Sequence, residues 1–422
     1  MTLPRILAIM GSGETAPTMV TTHRRLTALL PSPVQAVVLD TPYGFQENAP
    51  DLALRAVEYF KTSINVDLQV AGLVRMKDTH IAADPVETER GLRRLADADY
   101  VFAGPGSPTY ALRQWSETTV ATLLADKLRT GGIVVFASAA ALTLGKATVP
   151  VYEIYKVGEN VRRLDGLDLL SVIGINAAVI PHYDNAEGAN HDTRFCYLGE
   201  ARLVMFESML DDDTFVLGVD EHTGLVIDLD TQIATVVGNG TVTVRLRGQS
   251  HVFATGATLS LEYLRNPWTQ NADAPHAPQR AIVTLDDVDP QALSLAADTD
   301  KAIAEFDLAI AGADAPGAVR AALTLESCIR SWSADTLQSD SADRAHATLR
   351  SMISRLGDAA TTGLQDPRQV LAPFVDALIT VRTIVRAEKR YDLSDIIRDI
   401  FAAQGIEVRD TPDGVEWNLH VM

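Results

Sequence analysis

The stretch GGIVVFASAAALTLG, residues 131–145, decides the fold: five apolar or small residues run into Ser138, which three alanines and a leucine follow. Four to eight apolar residues bounded by glycine read as a buried strand, and the alanine-rich continuation reads as a helix. A strand that passes through a serine directly into a helix is the setting of a nucleophile elbow, where small neighbours let a strained backbone lift one hydroxyl above the sheet. Ala137, Ala139, Ala140 and Ala141 are such neighbours. The plainer reading is a helix N-cap serine at a strand end.

The same alternation extends outward. RILAIM (5–10), VQAVVLD (34–40), VDLQVAGLV (66–74) and DYVFAG (99–104) read as strands, while DLALRAVEYFKTSI (51–64), VETERGLRRLADA (86–98) and PTYALRQWSETTVATLLADKLRTG (108–131) carry helical apolar spacing. Strands and helices in alternation predict an α/β, mostly parallel three-layer sandwich covered on both faces. Beyond Asp165 the strands shorten: LLSVIGI (169–175), AAVIPHY (177–183), a helix through RLVMFESML (202–210), then the strand pairs of 214–248, which read as antiparallel additions.

RNPWTQNADAPHAPQR (265–280) breaks both periodicities and marks a linker. The division predicted is a first domain over 1–266, a linker over 267–280 and a C-terminal helical domain over 281–422. The last ends in IEVRDTPDGVEWNLHV, where Asp413-Gly414 predicts a hairpin.

Composition narrows the function. The 422 residues carry 55 acids against 36 bases, a formal charge of −19, which disfavours phosphate backbones and anionic membranes as partners. Two cysteines, Cys196 and Cys328, make a disulfide framework or a thiolate metal site an unpromising reading and suit a reducing, cytoplasmic setting. No cofactor or metal motif stands out, and the N-terminus reads as a first strand without a targeting leader.

A serine nucleophile needs a base and an oriented partner. His182, just after a strand and a proline, is held by the sheet, whereas His191 lies in a polar loop. Glu221 in VLGVDEHTG is the first choice for the carboxylate, with Asp220 and Glu153 as rivals; strand alternation lets only one of the two adjacent acids face the imidazole. The amide of Ala139 would face a developing oxyanion, and the loop FAGPGSPTY offers Gly106 or Ser107 as a second donor. GSGETAPTM and DTPYGFQENA end at the same sheet edge, so Glu14, Thr15, Tyr43 and Asn48 are candidate substrate contacts, with helix capping as the competing role of Thr15 and Asn48.

In order, the glycine loop, SAAA, PHY and GVDEHTG resemble the serine peptidases of the aspartyl dipeptidase and cyanophycinase type, which share the class I glutamine amidotransferase-like fold, over about residues 4–256. The resemblance implies a Ser138–His182–Glu221 triad. It also implies arginines after the histidine, matched by Arg194 and Arg202, that would hold an acidic side chain or terminus. Phe136 and Ala140 stand where the family pattern has glycine.

The segment DPRQVLAPFVDALITVRTIVRAEKRYDLSDIIRDIFAAQGIEVRDTPDGVEWNL (366–419) resembles the C-terminal region of cysteinyl-tRNA synthetases, without their nucleotide-binding motifs or zinc cysteines. About ten more acids than bases lie beyond Asn271, which argues against tRNA as its partner. The expectation is a serine hydrolase of small, acidic peptides or isopeptides. The alternative is a catalytically inactive binding or regulatory protein linked to tRNA or amino-acid metabolism. A homo-oligomer is left open.

Overall fold

Strand β5 (Gly132–Ala137) lies near the middle of the main sheet because both its faces are apolar. Val134 and Phe136 enter one core layer and Ile133, Val135 and Ala137 the other. The computed structural model describes residues 2–77, 84–187, 191–268, 294–333, 335, 341–363, 367–411 and 414–419.

Parallel to β5 run β1 (Arg5–Met10) on one side and β4 (Tyr100–Ala103), β2 (Ala36–Leu39) and β3 (Leu68–Val70) on the other. Beyond β1 the sheet turns antiparallel through β10 (Thr223–Asp228), β11 (Ile233–Gly238) and β14 (Thr258–Ser260). Helices α1 (Pro17–Ala28), α2 (Ala49–Tyr59), α3 (Pro85–Asp97), α4 (Pro108–Trp115) and α5 (Thr119–Thr130) are the crossovers. The mixed α/β, parallel-rich architecture expected from the sequence is what the chain adopts.

A second sheet places β8 (Ala177–Ile180) parallel to β9 (Phe215–Val219), followed antiparallel by β12 (Thr241–Leu246) and β13 (Gln249–Ala254). The short strands β6 (Ala147–Thr148) and β7 (Leu164–Asp165) pair with each other, and α6 (Ser138–Ala141), α7 (Gly199–Glu207) and α8 (Leu261–Arg265) complete this part.

Two local expectations change. The helical stretch 108–131 is two helices, because Glu117 adopts a left-handed φ of 58° and the Thr118 hydroxyl caps Val120 to begin α5 anew. LLSVIGI holds a 3₁₀ turn, Ser171–Ile173, in place of a strand; Gly174, at φ 81°, reverses the chain before it can extend.

The chain divides into two units, and the division is not the one expected. The first comprises Met1–Asp298 and Cys328–Ala342, the second Thr299–Ser327 and Asp343–Met422. The segment after Cys328 joins the first unit because Trp332 bonds Asp298 and packs on His222. Residues 269–280 of the expected linker lie outside the described residues.

The second unit draws on α9 (Leu295–Ala311), α10 (Ala315–Ser331), α11 (Ser341–Thr362), α12 (Pro367–Ala387) and α13 (Tyr391–Ala403), and ends in the antiparallel pair β15 (Ile406–Thr411) and β16 (Gly414–Leu419). Val375, Phe401, Ile406 and Trp417 form a core there. Arg382, 1% exposed, grips Asp410 through two bonds of 2.6 and 2.9 Å. The expected hairpin is present, although its turn residue Asp413 lies outside the described residues. Among the described residues no helix is long and apolar enough to cross a membrane.

Candidate active site

Ser138 follows the last residue of β5 and opens α6 with a left-handed φ of 49°, a conformation an L-residue holds only where its surroundings enforce it. The enforcement is local. Ala140 is fully buried and its amide donates to the Gly104 carbonyl at 3.2 Å, tying the elbow to the loop after β4. Phe136 does not crowd the serine. Its fully buried ring lies in the core layer it shares with Val134 and Ala140, 5.7 Å from the Trp115 ring, and the Trp115 indole N–H in turn donates to Thr41 at 2.9 Å.

The Ser138 Oγ lies 2.9 Å from Nε2 of His182. His182 leaves β8 through Pro181 with a φ of 46°, and its carbonyl accepts the amides of Asn185 and Cys196 at 3.2 and 3.1 Å, which pins the loop. Its Nδ1 lies 2.9 Å from Oε1 of Glu221, in the turn between β9 and β10. Asn185 donates to the same oxygen at 3.2 Å, and the Glu221 amide donates to Asp184 at 2.7 Å. Burial opposes ionisation of Glu221, but the bonds from His182 and Asn185 and the nearby His222 outweigh it, so the carboxyl lies below its ordinary range. A serine, an imidazole and a carboxylate thus stand in one hydrogen-bonded row, each largely shielded from water.

The rival carboxylates are elsewhere. Asp220 points away and accepts the amide and hydroxyl of Thr241, both at 2.7 Å; Glu153 lies in a π-helical turn and takes no part in the bond to His182. His191 is exposed and approaches Tyr155 at 3.4 Å.

A cavity of about 630 Å³ opens over Ser138 and His182. Glu14, Thr15, Tyr43, Gly106 and Ser107 line it, whereas Asn48 is exposed at the start of α2 and does not. Gly106 has a φ of 139°, and a Cβ there would stand 2.1 Å from the Pro42 carbonyl oxygen, so the loop can lie against residues 42–43 only as glycine. Ser107 is corrected as an oxyanion donor: its amide is committed to Pro42 at 2.8 Å and its hydroxyl caps Tyr110 at 3.1 Å. Ala139 stands in the first turn of α6, where amides have no intrahelical acceptor.

Arg194 is also corrected. Its guanidinium forks onto Asp192 at 2.8 and 2.9 Å, and it does not line the cavity; the pairing holds the Asp192 carboxyl well below its ordinary value. Arg202 is exposed on α7. Among the described residues, the cations that line the cavity are Arg55 and Lys156.

Three features escaped the sequence reading. Asn185 supports Glu221, and its place three residues after His182 in PHYDN was an available signal. His222, at φ 51°, lies beside Thr18 at 3.1 Å and Asp335 at 3.5 Å, with burial pushing its imidazole below the ordinary value against the pull of Asp335 and Glu221. Its ring also explains Gly13, whose φ is 67° and where a Cβ would stand 2.1 Å from Nδ1. Ser333 and Asp335, far along the chain, complete the cavity wall.

No family model matches the chain. Among solved structures it is similar to a peptidase from an acI-B1 Actinobacterium, at 19% identity and a TM-score of 0.49, covering 61% of this chain and 98% of that one. It is also similar to a putative peptidase E protein from Listeria monocytogenes EGD-e, at 15% identity and a TM-score of 0.35, covering 56% and 98%. Its C-terminal region is 53% identical over 47 residues to a cysteine–tRNA ligase of Carboxydothermus hydrogenoformans, 11% of this chain and 10% of that protein. A cysteine–tRNA ligase of Nitratidesulfovibrio vulgaris is 56% identical over 45 residues, 11% of this chain and 9% of its own. The chain spans about a tenth of the length of these curated relatives.

Proposed function

We propose that this protein is a serine-type amide hydrolase of short peptides or isopeptides, of the aspartyl dipeptidase and cyanophycinase type. The observation that carries the reading is the unbroken row from the Ser138 hydroxyl through both nitrogens of His182 to Glu221. Ser138 Oγ attacks the amide carbonyl carbon and its proton passes to Nε2 of His182. The Nδ1 proton, held by Glu221, fixes the tautomer that makes Nε2 the acceptor. Amides of Ala139 and Gly106 stabilise the oxyanion. Collapse breaks the C–N bond as His182 returns the proton to the leaving amine, and water, deprotonated by the same imidazole, releases the acyl group.

The cavity volume suits a short peptide better than an extended chain, and both charge signs on its walls suit a substrate with charged termini. Arg55 and Lys156 take the place once assigned to Arg194 as partners of a substrate carboxylate. A fluorophosphonate should label the wild-type protein and leave Ser138→Ala untouched; equal labelling of the two rejects the reading.

A second reading, a binding or regulatory protein tied to tRNA or amino-acid metabolism, rests on the short similarity to cysteine–tRNA ligases. A salt-sensitive gel shift of tRNA supports it. Peptide turnover that disappears in Ser138→Ala removes it.

A further inference from the structure

We propose that the crevice between α2 and the carboxyl end of the main sheet is a subsite for an apolar substrate side chain, so that the enzyme prefers peptides with a leucine-like residue flanking the scissile bond to the acidic ones its sequence resemblance implies. The inference rests on the hydrolase reading above and adds to it the class of side chain accepted.

The cavity that opens over Ser138 and His182 extends to a second set of walls, and these are apolar. Val38 and Phe102 each stand one residue short of the end of their strand, β2 and β4, and pair in register, so their side chains lie side by side on one face of the sheet. Ala56 of α2 packs into the same layer, and Leu52, one helical turn earlier, lines the cavity with it. Phe45, in the loop before α2, also lines it while 48% exposed, its ring resting 5.3 Å from that of Tyr110. Gly104 joins these walls to the elbow: its carbonyl accepts the Ala140 amide at 3.2 Å, and a Cβ there would stand 3.4 Å from Cζ of Phe102.

Protein cores leave few voids larger than a water molecule, so an apolar hollow continuous with the nucleophile is space for a ligand, at the sheet edge where α/β folds bind them. A side chain that fills it takes apolar surface out of water on both partners. Charged side chains fit less well. Glu14 is fully buried at this end, with Oε1 beside Gly104, and its interactions are within the protein. A second carboxyl brought against it is disfavoured, and a buried ammonium would have to draw it from the partners it already has. Arg55, on the same helix as Leu52 and Ala56, is exposed, which suits it to a terminal carboxylate in contact with water.

Titration calorimetry on Ser138→Ala, which cannot form the acyl-enzyme, compares Ala-Ala with dipeptides that carry Leu, Asp or Lys in turn at either position. At one position Leu should bind at least tenfold tighter than Ala, and tighter than Asp or Lys; the position that responds tells which side of the scissile bond enters the crevice. Adding Leu52→Asn, similar in size but polar, or Ala56→Phe, which fills the hollow, should reduce the preference for Leu about tenfold. Leu52 is only partly buried, so its variant decides if Ala56→Phe does not fold. No preference for Leu at either position, tighter binding of Asp or Lys at the responding position, or a preference unchanged by both substitutions in proteins with wild-type thermal melting overturns the proposal. Fluorophosphonate labelling of Ser138 is measured separately. Labelling without a preference for Leu rejects the subsite and spares the hydrolase reading; a preference for Leu without labelling rejects the hydrolase reading and keeps the crevice as a ligand site.

Discussion

Replacing Glu221 with glutamine isolates what its charge contributes. Oε1 of Glu221 accepts two N–H donors, from His182 at 2.9 Å and Asn185 at 3.2 Å. A glutamine that places its amide oxygen at that point keeps both bonds, and with them the orientation and tautomer of His182. Only the negative charge is removed. When His182 takes the serine proton, an imidazolium forms with its charge centre roughly 4 Å from the carboxylate, an attraction of about 4 kcal/mol at an effective dielectric constant near 20. Both side chains keep some exposure, 15% and 20%, so solvent screening can halve this to about 2 kcal/mol. At about 1.4 kcal/mol per decade, E221Q should react with a fluorophosphonate about 30- to 1,000-fold more slowly than wild type. E221A, which also frees the imidazole to turn and strands the Asn185 amide, should lose at least a further tenfold. The assay is the pseudo-first-order labelling rate at pH 7.5 on variants with wild-type thermal melting. Labelling of E221Q at the wild-type rate would refute the role of the charge. Equal losses in E221Q and E221A would refute the claim that the two hydrogen bonds hold the imidazole.

Further expectations address the loop, the core and pH. Gly106→Ala forces a methyl against the Pro42 carbonyl oxygen and should slow labelling at least tenfold; an unchanged rate rejects Gly106 as part of the oxyanion site. Phe136→Gly removes a fully buried ring packed on Trp115 and should destabilise the first unit by about 3–5 kcal/mol in urea unfolding, whereas an unchanged midpoint would mean that the ring is not part of a close-packed core. His23 is fully buried between the Tyr100 hydroxyl and the Glu14 carbonyl, and burial pushes its imidazole down to about 4 from 6.5, against the pull of the Glu14 bond. Because the folded value lies below the unfolded one, its contribution is complete above pH 6.5 and is lost as pH falls towards 4. Between pH 7.5 and 5 this amounts to about 2 kcal/mol, and His23→Gln should flatten the pH dependence of urea unfolding by that much; an unaltered slope assigns acid sensitivity elsewhere.

The sheet was legible because its strands are apolar on both faces and therefore unlike the helices between them; β5 and its serine needed no more than local pattern. His182 and Glu221 were legible for a related reason, since each sits where a strand ends and alternation leaves one acid of the pair facing inward. What failed was whatever depends on a competing neighbour or on distant chain. Arg194 is held by the fork onto Asp192, two residues away, and the Ser107 amide is taken by the Pro42 carbonyl of another loop. Nothing near Ser333 and Asp335 in sequence marks them for the cavity, because their segment is seated through Trp332 on His222 and Asp298, which belong to other parts of the chain.

Ser138, His182 and His222 all hold left-handed backbone angles, 49°, 46° and 51°, on side chains that disfavour them by about 1–3 kcal/mol each. Glycine at any of the three would relax the chain, and at Ser138 or His182 it would also remove a side chain that the proposed hydrolysis requires. Directed evolution rewarding heat tolerance alone should therefore drift toward glycine there, and a screen for durable variants has to score fluorophosphonate reactivity in the same round to keep Ser138 and His182.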